Sequence, residues 1–503
     1  MQDVLDVPDV PVLERKWWAL IAVCTAIFML LLDITIVNVA LPDMQDDLDA
    51  SFSQLQWVID AYALTLATCM LAAGSLADLL GRKRVFVTGL AFFTATSLLC
   101  GLSTSAGLLI AARAAQGVGG AIMFATSLAL LSQEFHGRDR GTAFGIWGAT
   151  VGAAVAIGPL AGGILTTGLN WRWIFFINVP IGLAAIALSA ARLHESKDPA
   201  RARLDWLGLV TLTGSLFLLV YALLEGNERG WSSGFIVTCL VVSLALGIAF
   251  VVGELLQSDP MLDVRLFRGR SFVGAQIAAF ALSSSMFSLF LFLTLYLQNV
   301  LGYSALGAGL RFLPISLSSF VAAAISGKLT ARLPARLLLT VGLSLVGASL
   351  LLMHGVTTDS AWTALLAGFI VAGFGIGATN PPLASTAVAV VPPERAGMAS
   401  GTNNTFRQVG LATGIAALGA LFQHQIASSL AETLNTEPPH GLVRAVASGV
   451  SPGNVRGAAD AAFVSALNTV VLVAAVVAFA GAALVALLIR SRDLSHGRPP
   501  AAT

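Results

Sequence analysis

Gly74-Ser-Leu-Ala-Asp78-Leu-Leu-Gly81-Arg82-Lys83-Arg84 separates two long apolar runs, one starting near Gln54 and one near Arg84. A related stretch recurs as Gly327-Lys-Leu-Thr-Ala-Arg332-Leu-Pro-Ala-Arg336. Both copies keep Gly-x-Leu and a basic end, and Ala331 stands where the first has Asp78. A helix needs about 20 apolar residues to cross a bilayer. Runs of that kind begin near Trp17, Gln54, Arg84, Ala106, Gly141, Trp171, Leu204, Ser233, Ser271, Ala305, Arg336, Ala361, Gly397 and Ala461, which gives about fourteen spans. With the pair near Leu204 and Ser233 set aside, the second copy lies six spans after the first, on the same side. Repeated six-helix halves with a substrate site at their interface are a transporter arrangement. The expected fold is an all-α polytopic membrane protein. Residues 1–203 form an N-terminal six-helix bundle, 204–262 two additional linking helices, and 263–503 a C-terminal six-helix bundle. A long outer loop is expected at about 423–460, with a weakly amphipathic start at Ile426, Leu430 and Leu434; it reads equally as a lid or as a tolerated surface loop.

The loops carry the charge that orients such a chain. Positive residues collect on the cytoplasmic side, and with a cytoplasmic N-terminus alternate loops hold 21 of the 28 Lys and Arg. Only Arg172, Arg229, Arg444 and Arg456 fall outside, and Arg113, Arg311 and Arg407 fall within spans. Losing one helix early in the count would scramble this alternation, so both termini are expected in the cytoplasm. The first span is too long for a cleaved signal and runs into polar Asp33 and Asn38. Hydrophobic residues make up 56% of the chain and charged residues 11%, against about 25% charged in soluble domains, which excludes a string of soluble domains. A net charge of +1 excludes a polyanion-binding protein, so no nucleic-acid partner is expected. Cys24, Cys69, Cys100 and Cys239 sit in apolar runs without metal-ligand spacing.

Further motifs line these runs in order. They are Leu32-Asp33-Ile-Thr-Ile-Val-Asn38-Val-Ala-Leu-Pro42, Arg113-Ala-Ala-Gln116-Gly117-Val-Gly119-Gly120-Ala121, Gly158-Pro159-Leu-Ala-Gly162-Gly163, Trp171-Arg-Trp173-Ile-Phe-Phe-Ile-Asn178-Val-Pro180 and Asn404-Thr-Phe-Arg407-Gln408-Val-Gly410. Together with Gly74 to Arg84 they resemble the major facilitator superfamily, and within it the fourteen-helix drug:proton antiporter branch of multidrug efflux type. The likeness covers nearly the whole chain. Two positions depart from the pattern: Leu79 stands where an Arg is common, and Ala154 where a Gly is expected.

Several residues carry the candidate chemistry. Asp33 lies past the middle of the first span, where a carboxylate is expensive unless it faces water or a partner. It is a candidate to bind either a proton or a cationic substrate, with Thr35 and Asn38 in support; the alternative is structural glue. Asp60, near the outer end of the second span, reads evenly as a proton relay or a rim carboxylate. Arg113 keeps its charge at any ordinary pH, and the resemblance implies a role in the proton pathway; the alternative is a bond to a helix carbonyl or to Gln116. Asn38, Gln116, Asn404 and Arg407 join Asp33 as candidate cavity residues, although Asn404 and Arg407 suit interhelical packing as well. No carboxylate lies deep in a span of the second half, so proton handling is expected in the first. Gly74, Asp78, Gly81, Arg82 and Lys83 read as a gate: the resemblance places this loop against a C-terminal-half helix, whose N-terminus Asp78 could face, since the dipole there favours an anion; the alternative, an ordinary positive-inside loop, explains Arg82 and Lys83 but not Gly74 and Asp78 at this spacing. Gly152, Gly158, Pro159, Gly162 and Gly163 extend a line of small residues through Gly145 and Gly148. They suit a hinge that rocks across the two halves, or simply tight packing.

There is no G-x-x-x-x-G-K-[ST] loop, so ATP is not the expected energy source, and no G-x-S-x-G turn or metal-spaced His pair. The chain reads as a proton-coupled antiporter, not an enzyme, without cofactor or metal. It would export amphipathic or cationic drug-like compounds across the cytoplasmic membrane by alternating access, as a monomer among membrane lipids. The alternatives are a dedicated exporter of one endogenous metabolite, antibiotic or lipid, and a non-transporting sensor or scaffold. The Ala and Gly content points to a bacterial source.

Overall fold

The computed structural model describes residues 15–50, 52–196, 205–257, 262–330, 332–391, 396–447, 449, 453 and 455–490. No water reaches a bilayer's interior, so each apolar run satisfies its backbone polar groups as helix; among the described residues there is no strand. The order is α1 (Arg15–Leu48), α2 (Phe52–Leu80), α3 (Arg82–Gly101), α4 (Ala106–Glu134), α5 (Gly137–Gly168) and α6 (Trp173–Arg192). Two more follow, α7 (Trp206–Arg229) and α8 (Gly234–Leu256). The rest are α9 (Arg270–Gln298), α10 (Ala305–Leu329), α11 (Ala335–Met353), α12 (Trp362–Ala389), α13 (Ala396–Leu434) and α14 (Arg456–Leu488). Side-chain caps start several of them: Ser105 accepts from the Leu108 N–H, Ser233 from Ile236 and Ser304 from Gly307. Among the described residues twelve helices are long and apolar enough to cross a membrane. The arms of α2, Trp57–Met70 and Ala72–Leu80, meet at 50° and add a thirteenth if taken as one span. α5, 32 residues long, is not in that set.

Buried side chains gather into separate cores. One is drawn from α9 to α14, and two from α1 to α6, with Ala384 and Val388 of α12 reaching into the first of these. The two groups of helices meet where α5 lies along α10 and α12, and where α2 and α4 lie along α13. α7 and α8 pack on each other, α7 against both α2 and α13. Their other faces expose Trp206, Val210, Val241, Leu244 and Leu256, an apolar surface that suits lipid rather than water.

Loops that alternate in sequence gather by end. At one end Lys16 Nζ pairs with Asp139 at 2.9 Å, and Arg15 Nε donates to the Arg192 carbonyl. At the other, Arg172 and the Trp171 indole donate to Asp47 at 2.6 and 3.1 Å. These bonds, Arg172's first, hold the Asp47 carboxyl below the usual carboxylate range.

One feature departs from expectation, and a second shows how the packing repairs a helix. The segment from Gln423 is not loop, because α13 continues to Leu434. Ile426 and Leu430, one turn apart, are fully buried in the C-terminal core, and that burial holds the segment helical. After Asn435 a short helix, His440–Ala447, tucks Val443 and Val446 into the same core. The second feature is in α12, where Pro382 lacks the N–H that would bond the Ala378 carbonyl. Ser326 Oγ of α10 donates to that carbonyl at 2.9 Å, so a neighbouring helix repairs the break.

Candidate functional site

Asp33 of α1 is fully buried, and its two oxygens are claimed by three donors from two other helices. Oδ2 accepts from Arg113 Nη1 of α4. Oδ1 accepts from Gln116 Nε2 of α4 at 3.1 Å and from Asn178 Nδ2 of α6 at 3.0 Å. Arg113 is 1% exposed and has further partners: the Gln116 Oε1 at 2.9 Å, the Val58 carbonyl at 3.1 Å, and the Tyr62 ring face 4.1 Å from the guanidinium carbon. One turn separates Arg113 from Gln116, so a single face of α4 presents cation and amide together. The glycines that follow let helices close in. A Cβ on Gly117 would stand 2.5 Å from the Tyr62 carbonyl, which fixes Tyr62 beneath the guanidinium. Removing one partner from a buried pair of this kind costs about 3–5 kcal/mol, because the survivor is left charged and uncompensated.

The expected supporters of Asp33 are placed differently. Thr35 Oγ1 donates back to the Leu31 and Leu32 carbonyls of its own helix, and its side chain fills the space that a Cβ on Gly158 of α5 would need. It does not reach Asp33, because a threonine in a dry helix turns to the carbonyl one turn back. The side chains of Asn38, Asp60 and Pro159 lie outside the described residues. Asn178 was the missed partner, with Ser97, which accepts from its Nδ2 at 3.0 Å. The signal in the sequence was a lone amide within the apolar run Trp171 to Pro180.

The other half holds a cation that meets no carboxylate among the described residues. Arg407 of α13 is buried, and Nη2 donates to Asn380 Oδ1 of α12 at 3.1 Å. Among the described residues it makes no ion pair. Its Nε, Asn380 Nδ2 and both polar atoms of Asn404 are buried without hydrogen-bond partners there. Asn403 turns aside to α9, donating to the Ala275 carbonyl and Gln276 Oε1.

At the Asp139 end, Asp78 Oδ2 accepts from the Met398 N–H at 3.0 Å, in the first turn of α13. Its Oδ1 takes Nε and Nη2 of Arg82 at 3.0 and 2.9 Å. The carboxylate thus ties α2 to the positive end of α13. Gly81 has φ 111°, left-handed backbone that glycine tolerates, and a Cβ there would stand 2.5 Å from Glu195 Oε1. Glu195, unforeseen from sequence, accepts the N–H groups of Lys83 and Arg84, while Lys83 Nζ donates to the Ala190 carbonyl at 2.7 Å. Gly74 is buried in α2, and Gly162 and Gly163 are buried in α5. The second repeat copy uses its glycine differently: a Cβ on Gly327 would stand 2.6 Å from the Gly141 carbonyl and 2.7 Å from Gly145 Cα. α5 and α10 therefore touch backbone to backbone. Further along α5, Gly148 faces Pro381 and Asn380 of α12, and Gly152 faces Ser319 of α10, whereas Gly158 faces α1. The glycine face thus meets the other group of helices at Gly141, Gly145, Gly148 and Gly152, and its own group at Gly158.

Comparison with known proteins adds the following. The chain matches the Major Facilitator Superfamily over residues 23–415. It is 38% identical over 424 residues to the Puromycin resistance protein pur8 of Streptomyces alboniger, covering 83% of this chain and 84% of that one. Multidrug resistance protein Stp of Mycobacterium tuberculosis is 36% identical over 430 residues, 85% of this chain and 80% of its own. Cephamycin export protein CmcT of Amycolatopsis lactamdurans is 38% identical over 407 residues, 80% and 84%. The crystal structure of the human organic anion transporter MFSD10 (TETRAN) covers 92% of this chain and 99% of its own with a TM-score of 0.60. At 15% identity that likeness concerns the fold.

Proposed function

The chain belongs to the Major Facilitator Superfamily, a multi-pass membrane transporter and not an enzyme, and from that premise we propose that it exports amphipathic, drug-like compounds in exchange for protons. Residues 1–203 and 263–503 are the two rocking halves, with 204–262 as the insert between them. Both termini face the cytoplasm. The proton gradient is the energy source, and a single chain in lipid suffices.

The observation that carries this reading is the closed network of Asp33, Arg113, Gln116 and Asn178. A cation beside a carboxylate favours its ionised form, and withdrawing the cation favours the protonated form. A proton arriving from outside at Asp33 Oδ2 takes the place of the Arg113 N–H. The guanidinium then loses its counter-charge but keeps the Val58 carbonyl and the Tyr62 face, so α4 shifts against α1. Asp78 at the start of α13 and the crossing of α5 with α10 hold the cytoplasmic side shut while substrate leaves. Release of the proton to the cytoplasm restores the pair. Asp33 already has a fixed cation against it, so attraction of a cationic substrate is not its role in this arrangement.

The test is efflux from proteoliposomes under an imposed pH gradient. Wild type accumulates substrate against its gradient, and Asp33→Asn loses that ability while still exchanging substrate down a gradient. Full pH-driven efflux by Asp33→Asn removes Asp33 from coupling. A dedicated exporter of one antibiotic is a second reading, favoured by relatives whose names give puromycin resistance and cephamycin export. Transport of several unrelated amphiphiles in the same assay would rule it out.

A further inference from the structure

Ser400, Asn404 and Arg407 stand at i, i+4 and i+7 along α13, so they share one helix face. Each is at least nine-tenths buried, and each keeps polar atoms with no hydrogen-bond partner among the described residues: Ser400 Oγ, both amide atoms of Asn404, and Arg407 Nε. Asn380 of α12, bonded to Arg407, leaves its own Nδ2 unpartnered. This cluster borders the other half of the molecule, because the Asn380 Cβ lies 3.6 Å from where a Cβ on Gly148 of α5 would stand. Buried polar groups are nearly always hydrogen-bonded, and a cluster of exceptions asks for an explanation. The charge sharpens the demand. Arginine does not shed its proton, and a buried charge needs a counter-ion or strong hydrogen bonds. From Asp263 to Asp460 the only carboxylates between are Asp359, Glu394, Glu432 and Glu437; Glu432 is exposed at the far end of α13, about 37 Å along the helix from Arg407. Most of the atoms left without partners are donors: an arginine N–H, two amide groups and a hydroxyl. Such a set matches a group that supplies acceptor oxygens and negative charge, and the planar guanidinium matches a carboxylate or related oxyanion in particular.

We infer that the α12–α13 cluster of Asn380, Asn404 and Arg407 is a binding subsite for the anionic group of an amphipathic substrate. The inference rests on the export reading above and adds the substrate class. The exporter selects amphiphiles with a carboxylate or similar oxyanion at one end. The N-terminal half handles the proton and the C-terminal half holds the substrate's negative end.

The test is equilibrium binding in phosphatidylcholine nanodiscs without a pH gradient, read as energy transfer from the protein's nine tryptophans to three matched probes. These are dansylated aminohexanoic acid, its primary amide and its quaternary ammonium counterpart. The acid binds at least about tenfold more tightly than the other two, as charge-assisted hydrogen bonds imply. Arg407→Met brings the acid to the level of the amide, and Asn404→Ala weakens it several-fold. Asn404→Ala keeps the test decisive if Arg407→Met does not fold. Nanodiscs of phosphatidylglycerol separate the sources of the anion. Loss of acid binding there identifies a lipid phosphate as occupant of the same subsite, and unchanged binding identifies the soluble amphiphile. A preference for the quaternary amine, or unchanged acid binding by Arg407→Met and Asn404→Ala together, overturns the inference. Such a result leaves proton-driven efflux untouched, whereas failed efflux with the acid preference retained would discard the antiport reading alone.

Discussion

Arg113 and Arg407 are both buried arginines on helices that face the junction of the two halves, yet their surroundings differ. Arg113 meets a carboxylate, an amide oxygen, a backbone carbonyl and an aromatic face. Arg407 meets one amide oxygen, amid donors that lack acceptors. The first half has completed its electrostatics internally, and the second leaves them open to be completed by something else. A neutralised pair can switch when a proton arrives. An unneutralised cation can hold an anion. The same residue type thus suits coupling in one half and recognition in the other, according to whether a carboxylate lies within reach.

The sharpest way to break this comparison is thermal stability. Asp33→Asn or Arg113→Gln alone destabilises the protein by about 3–5 kcal/mol, since each strands a partner in a dry interior. The double variant regains most of that loss, with coupling energy between the sites as the measured quantity. Arg407→Met, by contrast, leaves the unfolding midpoint unchanged or raises it, because it removes an uncompensated buried charge and strands only the neutral Asn380 amide oxygen. If Arg407→Met destabilises as much as Arg113→Gln, the two arginines are equivalent and the contrast fails.

A smaller effect separates the two repeat copies. The first closes its end through charge, Asp78 on the α13 terminus, and the second through steric fit, Gly327 on Gly141 and Gly145. Asp78→Asn weakens closure, because it removes a buried charge from the α13 terminus, worth up to ~2 kcal/mol, together with a partner of buried Arg82, and turnover slows while equilibrium substrate affinity holds. Gly327→Ala forces α5 and α10 apart, and its effect does not depend on pH or salt. Stopped-flow transport with parallel binding titrations measures both; a loss of affinity without loss of rate would contradict the gate.

The smallest effect lies at the opposite end. Arg172 and Trp171 depress the Asp47 carboxyl, so their contribution is present above the ordinary carboxylate range and fades as pH falls through the lowered value. The group is nearly half exposed, which keeps the contribution small. Asp47→Asn therefore flattens the acid limb of the melting curve slightly and leaves its neutral-pH midpoint almost unmoved. A large neutral-pH loss would show that this latch does more than the exposure allows.

Much of the candidate site was legible because rare residues in apolar runs stand out. Asp33, Arg113, Gln116, Asp78 and Arg407 are conspicuous for the energy they cost in lipid. Thr35 misled because it shares a helix turn with Asp33, yet a helix offers threonine a nearer acceptor in its own backbone. Asn178 and Glu195 were passed over for a different reason. Each gains its meaning from a helix distant in sequence, Asn178 from Asp33 and Glu195 from the start of α3. The outer loop was drawn too long because Ile426 and Leu430 look like a weak amphipathic stripe until the core they dock against is in place.

What the sequence determined by itself was everything that accumulates along one dimension. Apolar runs long enough for a bilayer, basic loops in alternation and a repeated Gly-x-Leu motif already dictate an all-helical membrane protein with two related halves. These signals are local sums of transfer energy and charge, and they do not require knowing which helix lies beside which. The tertiary structure decided the pairing. Asp33 and Arg113 are 80 positions apart and Asp33 and Asn178 are 145 apart, and only the packing of α1, α4 and α6 turns three expensive groups into one neutral network. Among the described residues the same packing leaves Arg407 without a carboxylate, because electrostatic compensation depends on distance in space and falls away over a few ångströms of dry interior.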